Sequence, residues 1–155
     1  MFRRLSPLAL VVILAVGVVP LRASSVPQVR GAVAGIELCE QAVCGSAIFV
    51  GLFSGQVGIN PFAFGTIVVA VNHDYPLPDP LTSAAVTGGA WQIKPIAGRK
   101  IGGVITGGSL YNNDDGTFGV IANMLVTSGG SGTLTFEGTL SHNTFPPTIG
   151  GRIRP

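Results

Sequence analysis

The sequence predicts an all-β protein, specifically a small antiparallel β-barrel of eight or nine strands, with a β-sandwich as the alternative. Short apolar and alternating segments recur along the chain and are separated by turn-forming residues. No apolar face recurs at helical spacing over a dozen residues. Glycine contributes 23 of the 155 residues, and each glycine would cost about 1 kcal/mol inside a helix. A chain of this size with short connections can close into a barrel or split into two sheets.

The N-terminal segment has the pattern of a secretory signal peptide. Arg3 and Arg4 precede an apolar run at residues 8–19, and small residues follow at 23–25. An apolar run of about a dozen residues is too short to cross a membrane as a helix. We therefore expect residues 1–25 to be removed on export. The mature protein would be secreted or periplasmic, with no membrane-spanning segment.

Removal of this leader would change the charge of the chain. Because Arg3, Arg4 and Arg22 lie in it, the basic count falls from 9 to 6 against 7 acids, and the formal charge from +2 to −1. The remaining cations are spread from Arg30 to Arg154 along the sequence. No stripe of basic residues is evident, so we expect no nucleic-acid partner.

Residues 26–155 are expected to form a single all-β domain. The first strands are apolar on both faces, as in Ala47–Phe53 and Ile67–Val71. The clearest alternation is in Thr133–Ser141, where Leu134 and Phe136 are separated by polar residues, as in a half-buried strand. The expected strands are residues 28–38, 46–54, 64–73, 81–87, 90–94, 104–111, 119–127, 133–141 and 148–154.

Turn sequences connect the last strands into a predicted three-stranded meander. Residues 112–116 (Asn-Asn-Asp-Asp-Gly) and 128–132 (Ser-Gly-Gly-Ser-Gly) suit tight reversals of the chain. Glycines inside the strands are expected to mark bulges and bends, or to leave room for a ligand in the interior. These glycines are Gly102, Gly103, Gly107, Gly108, Gly138, Gly150 and Gly151.

The two cysteines are predicted to form a disulfide. Cys39 and Cys44 are close in sequence and belong to a chain with an export signal, where oxidised thiols persist. Their spacing differs from that of redox-active pairs. Neither His73 nor His142 stands at a spacing typical of zinc ligands.

Two histidine-containing segments are the candidates for catalysis. His73 with Asp74 follows one strand, and His142 follows another. If the segments meet at one rim, they offer acid and base groups that titrate near neutrality. The simpler interpretation is that Asx and proline residues end the strands there.

Other candidate site residues rest on single features. Trp91, Tyr75 and Glu137 are candidates for contact with a ligand, although Trp91 is expected to fill the core. Asn112 and Asp114 partly resemble a calcium loop, but its twelfth position would be Asn123 rather than glutamate.

No catalytic signature is evident, so the sequence favours an exported, noncatalytic β domain. Its role would be binding or structural, in the cell envelope or the extracellular space, without a cofactor. A small apolar ligand is one expected partner, and an envelope component is another. The alternative is a small barrel enzyme, a hydrolase or isomerase, that uses His73, Asp74 and His142.

Overall fold

The computed structural model describes residues 29–38, 46–74 and 83–155. The predicted signal peptide, the pair Cys39 and Cys44, and Tyr75 lie outside these ranges. The strands are β1 Val29–Leu38, β2 Ser46–Val57, β3 Asn60–His73, β4 Ser83–Pro95, β5 Ile101–Asn112, β6 Thr117–Ser128, β7 Thr133–Ser141 and β8 Thr148–Arg154. The described ranges contain no helix long and apolar enough to cross a membrane.

The eight strands form a closed antiparallel barrel in which each strand pairs with the next along the chain. The pairing of β1 with β8 closes the sheet, with Gly31 opposite Ile153 and Ile36 opposite Thr148. This confirms the predicted barrel and excludes the sandwich. The predicted meander of β5, β6 and β7 is also confirmed.

The eight strands agree with the expected eight or nine, but one expected boundary differs. The segments expected at 81–87 and 90–94 form one continuous strand, β4. Gly88 and Gly89, which separate the two expected segments, both pair with β3, opposite Asn72 and Val71. The register shifts between Asn72 and His73, so the glycines are accommodated within the strand as an irregularity.

The side chains alternate between the barrel interior and the outer surface. In β4, for example, Val86, Trp91 and Ile93 are buried, whereas Gln92 and Lys94 are exposed. All buried side chains in the described residues are apolar. The barrel therefore has one apolar core on its axis.

The two ends of the barrel differ in their connections. One end, here called the turn end, carries the connections at 58–59, 96–100 and 129–132, together with the start of β1 and the end of β8. The opposite end, here called the loop end, carries the connections that follow β1, β3, β5 and β7.

Glycines inside the strands have two separate roles. The register shifts of β5 lie at Gly102/Gly103 and Ile105/Gly107, as expected for bulges. Gly138 and Gly151 instead face each other across β7 and β8, and the Phe136 ring lies against both. A Cβ atom at either position would collide with this ring and with neighbouring backbone.

This arrangement predicts different outcomes for two adjacent glycines. Gly151→Ala should lower the free energy of unfolding by about 1–3 kcal/mol, because the added methyl group overpacks the interior. Gly150→Ala is the matched control, since Gly150 is exposed and a Cβ there would meet only the Val33 carbonyl oxygen, at 3.8 Å. Urea denaturation followed by Trp91 fluorescence measures both. Equal losses of stability in the two variants would contradict the account.

Candidate functional site

The barrel interior is filled in one half and hollow in the other. Near the turn end, large side chains occupy the axis: Phe53, Trp91, Ile93, Ile101 and Ile153, all at most 3% exposed. Towards the loop end, inward positions carry small residues, among them Gly35, Gly51, Ala47 and Ala122. A cavity of about 80 Å³ occupies this half.

The wall of the cavity is almost entirely apolar. Strands from all around the barrel contribute to it, because each has inward residues at this level. Only two lining residues, Glu37 and His73, have polar side chains. The larger apolar side chains of the wall are Val33, Phe49, Ile67, Val69, Val71, Val86, Ile105, Leu110, Val120, Met124, Phe136, Leu140, Ile149 and Ile153.

Glu37 is the polar group held most firmly at the cavity. It lies near the end of β1, and its side chain is only 11% exposed. Its Oε2 atom is 3.2 Å from Nε2 of His142. Its backbone N–H donates to the carbonyl oxygen of Pro147 at 2.9 Å. Both interactions connect β1 to the segment between β7 and β8, so this segment lies beside the cavity mouth.

The connection between β7 and β8 is also hydrogen-bonded to the turn between β5 and β6. Nδ2 of Asn143 donates to the Asp115 carbonyl oxygen at 3.0 Å, and the His142 backbone N–H donates to the Gly116 carbonyl oxygen at 3.1 Å. The Phe118 and His142 rings pack with centroids 5.3 Å apart. These contacts hold the His142 imidazole in place next to Glu37.

The two candidate histidines share the loop end, as the catalytic hypothesis requires. His73 lines the cavity, and its Nδ1 lies 2.9 Å from the carbonyl oxygen of Asp74. His142 reaches the cavity through its pairing with Glu37. Asp74 is exposed and does not line the cavity; its backbone N–H donates to Ala85. The structure thus brings Glu37, rather than Asp74, to an imidazole.

Two of the candidate ligand contacts, Trp91 and Glu137, lie away from the cavity. Trp91 is buried in the filled half, and its Nε1 has no hydrogen-bond partner within the part of the chain that the structure describes. Glu137 faces outward and pairs with Arg154 at 3.3 Å. Neither residue lines the cavity.

The candidate calcium residues form a hydrogen-bonded turn. Oδ1 of Asn112 accepts a hydrogen bond from the backbone N–H of Asp114 at 2.9 Å. One of the oxygen atoms expected to bind calcium is therefore already hydrogen-bonded within the turn. Asp114 has a positive φ of 61°, a conformation that Asp tolerates better than most residues. Within the described ranges, no group of three or more His, Cys, Asp or Glu side chains lies close enough to hold a metal.

Sequence reasoning missed Glu37 because no local motif contains it and its partner, His142, is 105 positions away. The available signal was parity: Val33, Gly35 and Glu37 alternate along β1, so an inward Val33 places Glu37 inward as well.

Comparison of the chain with protein-family models, with curated proteins and with solved structures gives no match.

The turn between β5 and β6 leads to a prediction about pH. The Thr117 hydroxyl donates to Asp115 at 2.6 Å and the Thr117 backbone N–H at 2.9 Å, and these bonds lower the pKa of Asp115. The bonds therefore stabilise the fold above the unfolded-state pKa, and this contribution is lost as pH falls through the folded pKa. Thr117→Val should raise the Asp115 pKa, which carboxyl NMR titration measures. An unchanged pKa would contradict the assignment.

Proposed function

We propose that the barrel binds a small, mainly apolar molecule in its cavity, with any polar group of the ligand facing Glu37, His73 and His142. The observation that carries the proposal is the cavity of about 80 Å³ with an apolar wall and polar side chains at one side only. The connection after β7, which is tied to both β1 and the β5–β6 turn, keeps these groups in position.

Water is a poor occupant of such a space. The volume exceeds the roughly 10–15 Å³ that one water molecule requires, but an ordered water needs two to four polar partners. The wall offers the side chains of Glu37 and His73 alone, which can hold one water molecule at the mouth but not the several that the volume would admit. An apolar molecule therefore gains burial at about 25 cal/mol per Å² without displacing well-bonded water.

The size of the cavity limits both the ligand and its affinity. At about 10–15 Å³ of such space per water-sized group, a ligand of about six to eight non-hydrogen atoms fits the cavity of about 80 Å³. At about 0.6–0.9 kcal/mol per atom, within the usual bounds for small ligands, the binding free energy is about −4 to −7 kcal/mol. This corresponds to Kd values from about 1 mM to 10 μM.

We further propose that the protein acts outside the cytoplasm, with Cys39 and Cys44 joined by a disulfide. This proposal rests on the leader-like segment at residues 1–25 and on the cysteine spacing. The mass of the protein recovered from its natural host tests both points. A retained leader or two free thiols would contradict them.

Filling the cavity should abolish ligand binding without harming the fold. Ala122 is buried and lines the cavity, so Ala122→Leu should weaken binding of 1-hexanol by at least about tenfold, because the new side chain competes for the same space. Isothermal titration calorimetry measures the affinity. The same variant should keep or gain thermal stability, since it fills a void.

A substitution of the same kind on the outer surface provides the control. Ala85 is exposed on β4, so Ala85→Leu should leave hexanol binding unchanged. A second cavity variant, Val71→Leu, covers the case in which Ala122→Leu does not fold. Absence of hexanol binding to the wild type, or equal binding by wild type and both cavity variants, would refute the proposal.

The pairing of Glu37 with His142 favours one alternative, a hydrolase or isomerase that uses the histidines of the loop end. An imidazole held by a carboxylate beside an apolar pocket resembles a general base in an active site. Hexyl acetate distinguishes binding from the hydrolase form of this alternative. Binding alone predicts that the ester is recovered intact, whereas hydrolysis lost in His142→Gln but retained in His73→Gln would establish the enzyme.

A further inference from the structure

All lysines and arginines that follow residue 28 lie at the turn end of the barrel, although they are dispersed in sequence. Antiparallel strands bring distant positions together at each end, and the cations occupy only one of the two ends. They are Arg30 in β1, Lys94 in β4, Arg99 and Lys100 in the β4–β5 turn, and Arg152 and Arg154 in β8.

These cations are largely available to a partner. In the described ranges, the only ion pair they make is that of Arg154 with Glu137, which is itself exposed. Arg30 donates through Nε to the side-chain oxygen of Gln56 at 2.9 Å, which leaves its charge uncompensated. The loop end carries the opposite charge, with Glu37, Asp74, Asp114 and Asp115. The barrel is therefore strongly polarised along its axis.

Large apolar side chains protrude from the same end as the cations. Ile59 in the β2–β3 turn is 99% exposed, Phe62 at the start of β3 is 90% exposed, and Ile96 in the β4–β5 turn is 81% exposed. The β4–β5 turn lies beside the first residues of β3, because the Ile96 backbone N–H donates to the Phe64 carbonyl oxygen at 2.8 Å. Phe64 is also exposed, so the apolar surface continues onto the outer face of β3.

We propose that the turn end binds the surface of an anionic lipid bilayer. The cations would contact phosphate headgroups, and Ile59, Phe62 and Ile96 would enter the boundary between headgroups and acyl chains. This combination of basic and protruding apolar residues is what interfacial binding requires. An acidic protein or nucleic acid would satisfy the cations but would leave the protruding side chains in water. The proposed surface is separate from the cavity and does not depend on it.

The energetics indicate measurable, reversible binding. Each Lys or Arg near an anionic membrane strengthens binding by about fivefold, through an attraction that salt screens. Reversal of two adjacent charges should therefore weaken partitioning by at least about tenfold. Loss of the protruding apolar residues should weaken it as well, and the fold-loss should be the same at every salt concentration at which the wild type still binds, since burial of apolar surface does not depend on charge.

Vesicle sedimentation with the mature protein, residues 26–155, tests the proposal. Wild-type protein should bind vesicles that contain both phosphatidylglycerol and phosphatidylcholine, but not vesicles of phosphatidylcholine alone. Raising the salt concentration to about 0.5 M should release the bound protein, because salt screens the attraction between the cations and the headgroups. The double variant Arg99→Glu/Lys100→Glu and the double variant Ile59→Ser/Phe62→Ser should each bind at least about tenfold more weakly. Trp91 fluorescence confirms that the variants are folded.

The loop end supplies a matched control for the apolar residues. Phe145 is 99% exposed in the β7–β8 connection, so Phe145→Ser should leave vesicle binding unchanged. Failure of the wild type to bind phosphatidylglycerol vesicles would overturn the proposal. So would an equal loss in the Phe145→Ser variant. A third outcome is that the Arg99→Glu/Lys100→Glu variant loses binding to heparin while the Ile59→Ser/Phe62→Ser variant binds vesicles as the wild type does. In that case the partner is an acidic polymer and the lipid assignment is wrong.

Discussion

The pairing of β1 with β8 turns a row of eight strands into a closed cylinder, and this closure fixes what every side chain can contact. In a closed sheet each residue points either to the axis or to the outside, so a change of one residue in register would exchange the two sets. The apolar alternation of β4 and β7 is satisfied in only one register. Closure also leaves no exposed sheet edge.

The width of an eight-stranded cylinder is nearly fixed, so the volume of the inward side chains decides whether the axis is filled or hollow. Phe53 and Trp91 fill it near the turn end. Gly35 pairs with Gly51 nearer the loop end, where neither residue contributes a side chain. The same glycine-rich composition therefore serves two purposes. Gly138 and Gly151 make room for an aromatic ring, whereas Gly35 and Gly51 let β1 and β2 approach closely and add no side chain to the cavity wall.

The sequence was sufficient to predict the strands, because these depend on local alternation and on short turns. It favoured a barrel over a sandwich, but closure depends on the pairing of β1 with β8, which are far apart in sequence. The β5–β6–β7 meander follows from the turns at 112–116 and 128–132, as expected. The division at Gly88 and Gly89 was wrong because two glycines can be an irregularity inside a paired strand as well as a turn. Local sequence does not distinguish the two, since pairing with β3 decides between them.

The site and the charge distribution depend on contacts between residues far apart in sequence, and these were less predictable. Glu37 and His142 are 105 positions apart, and nothing local indicates that they meet. Arg30, Lys94 and Arg152 looked scattered in sequence, but an antiparallel barrel places all three near one end. That both histidines share the loop end follows from their places after β3 and β7, because odd-numbered strands all finish at that end.

The central claim is that the barrel is hollow towards the loop end and filled towards the turn end. Crystallography under xenon pressure tests this claim most directly, because xenon enters dry apolar cavities and scatters strongly. A xenon peak is expected between Val71, Leu110 and Ala122, and none is expected between Ile93 and Ile101. Absence of xenon from the first position, or ordered water filling it, would contradict the account.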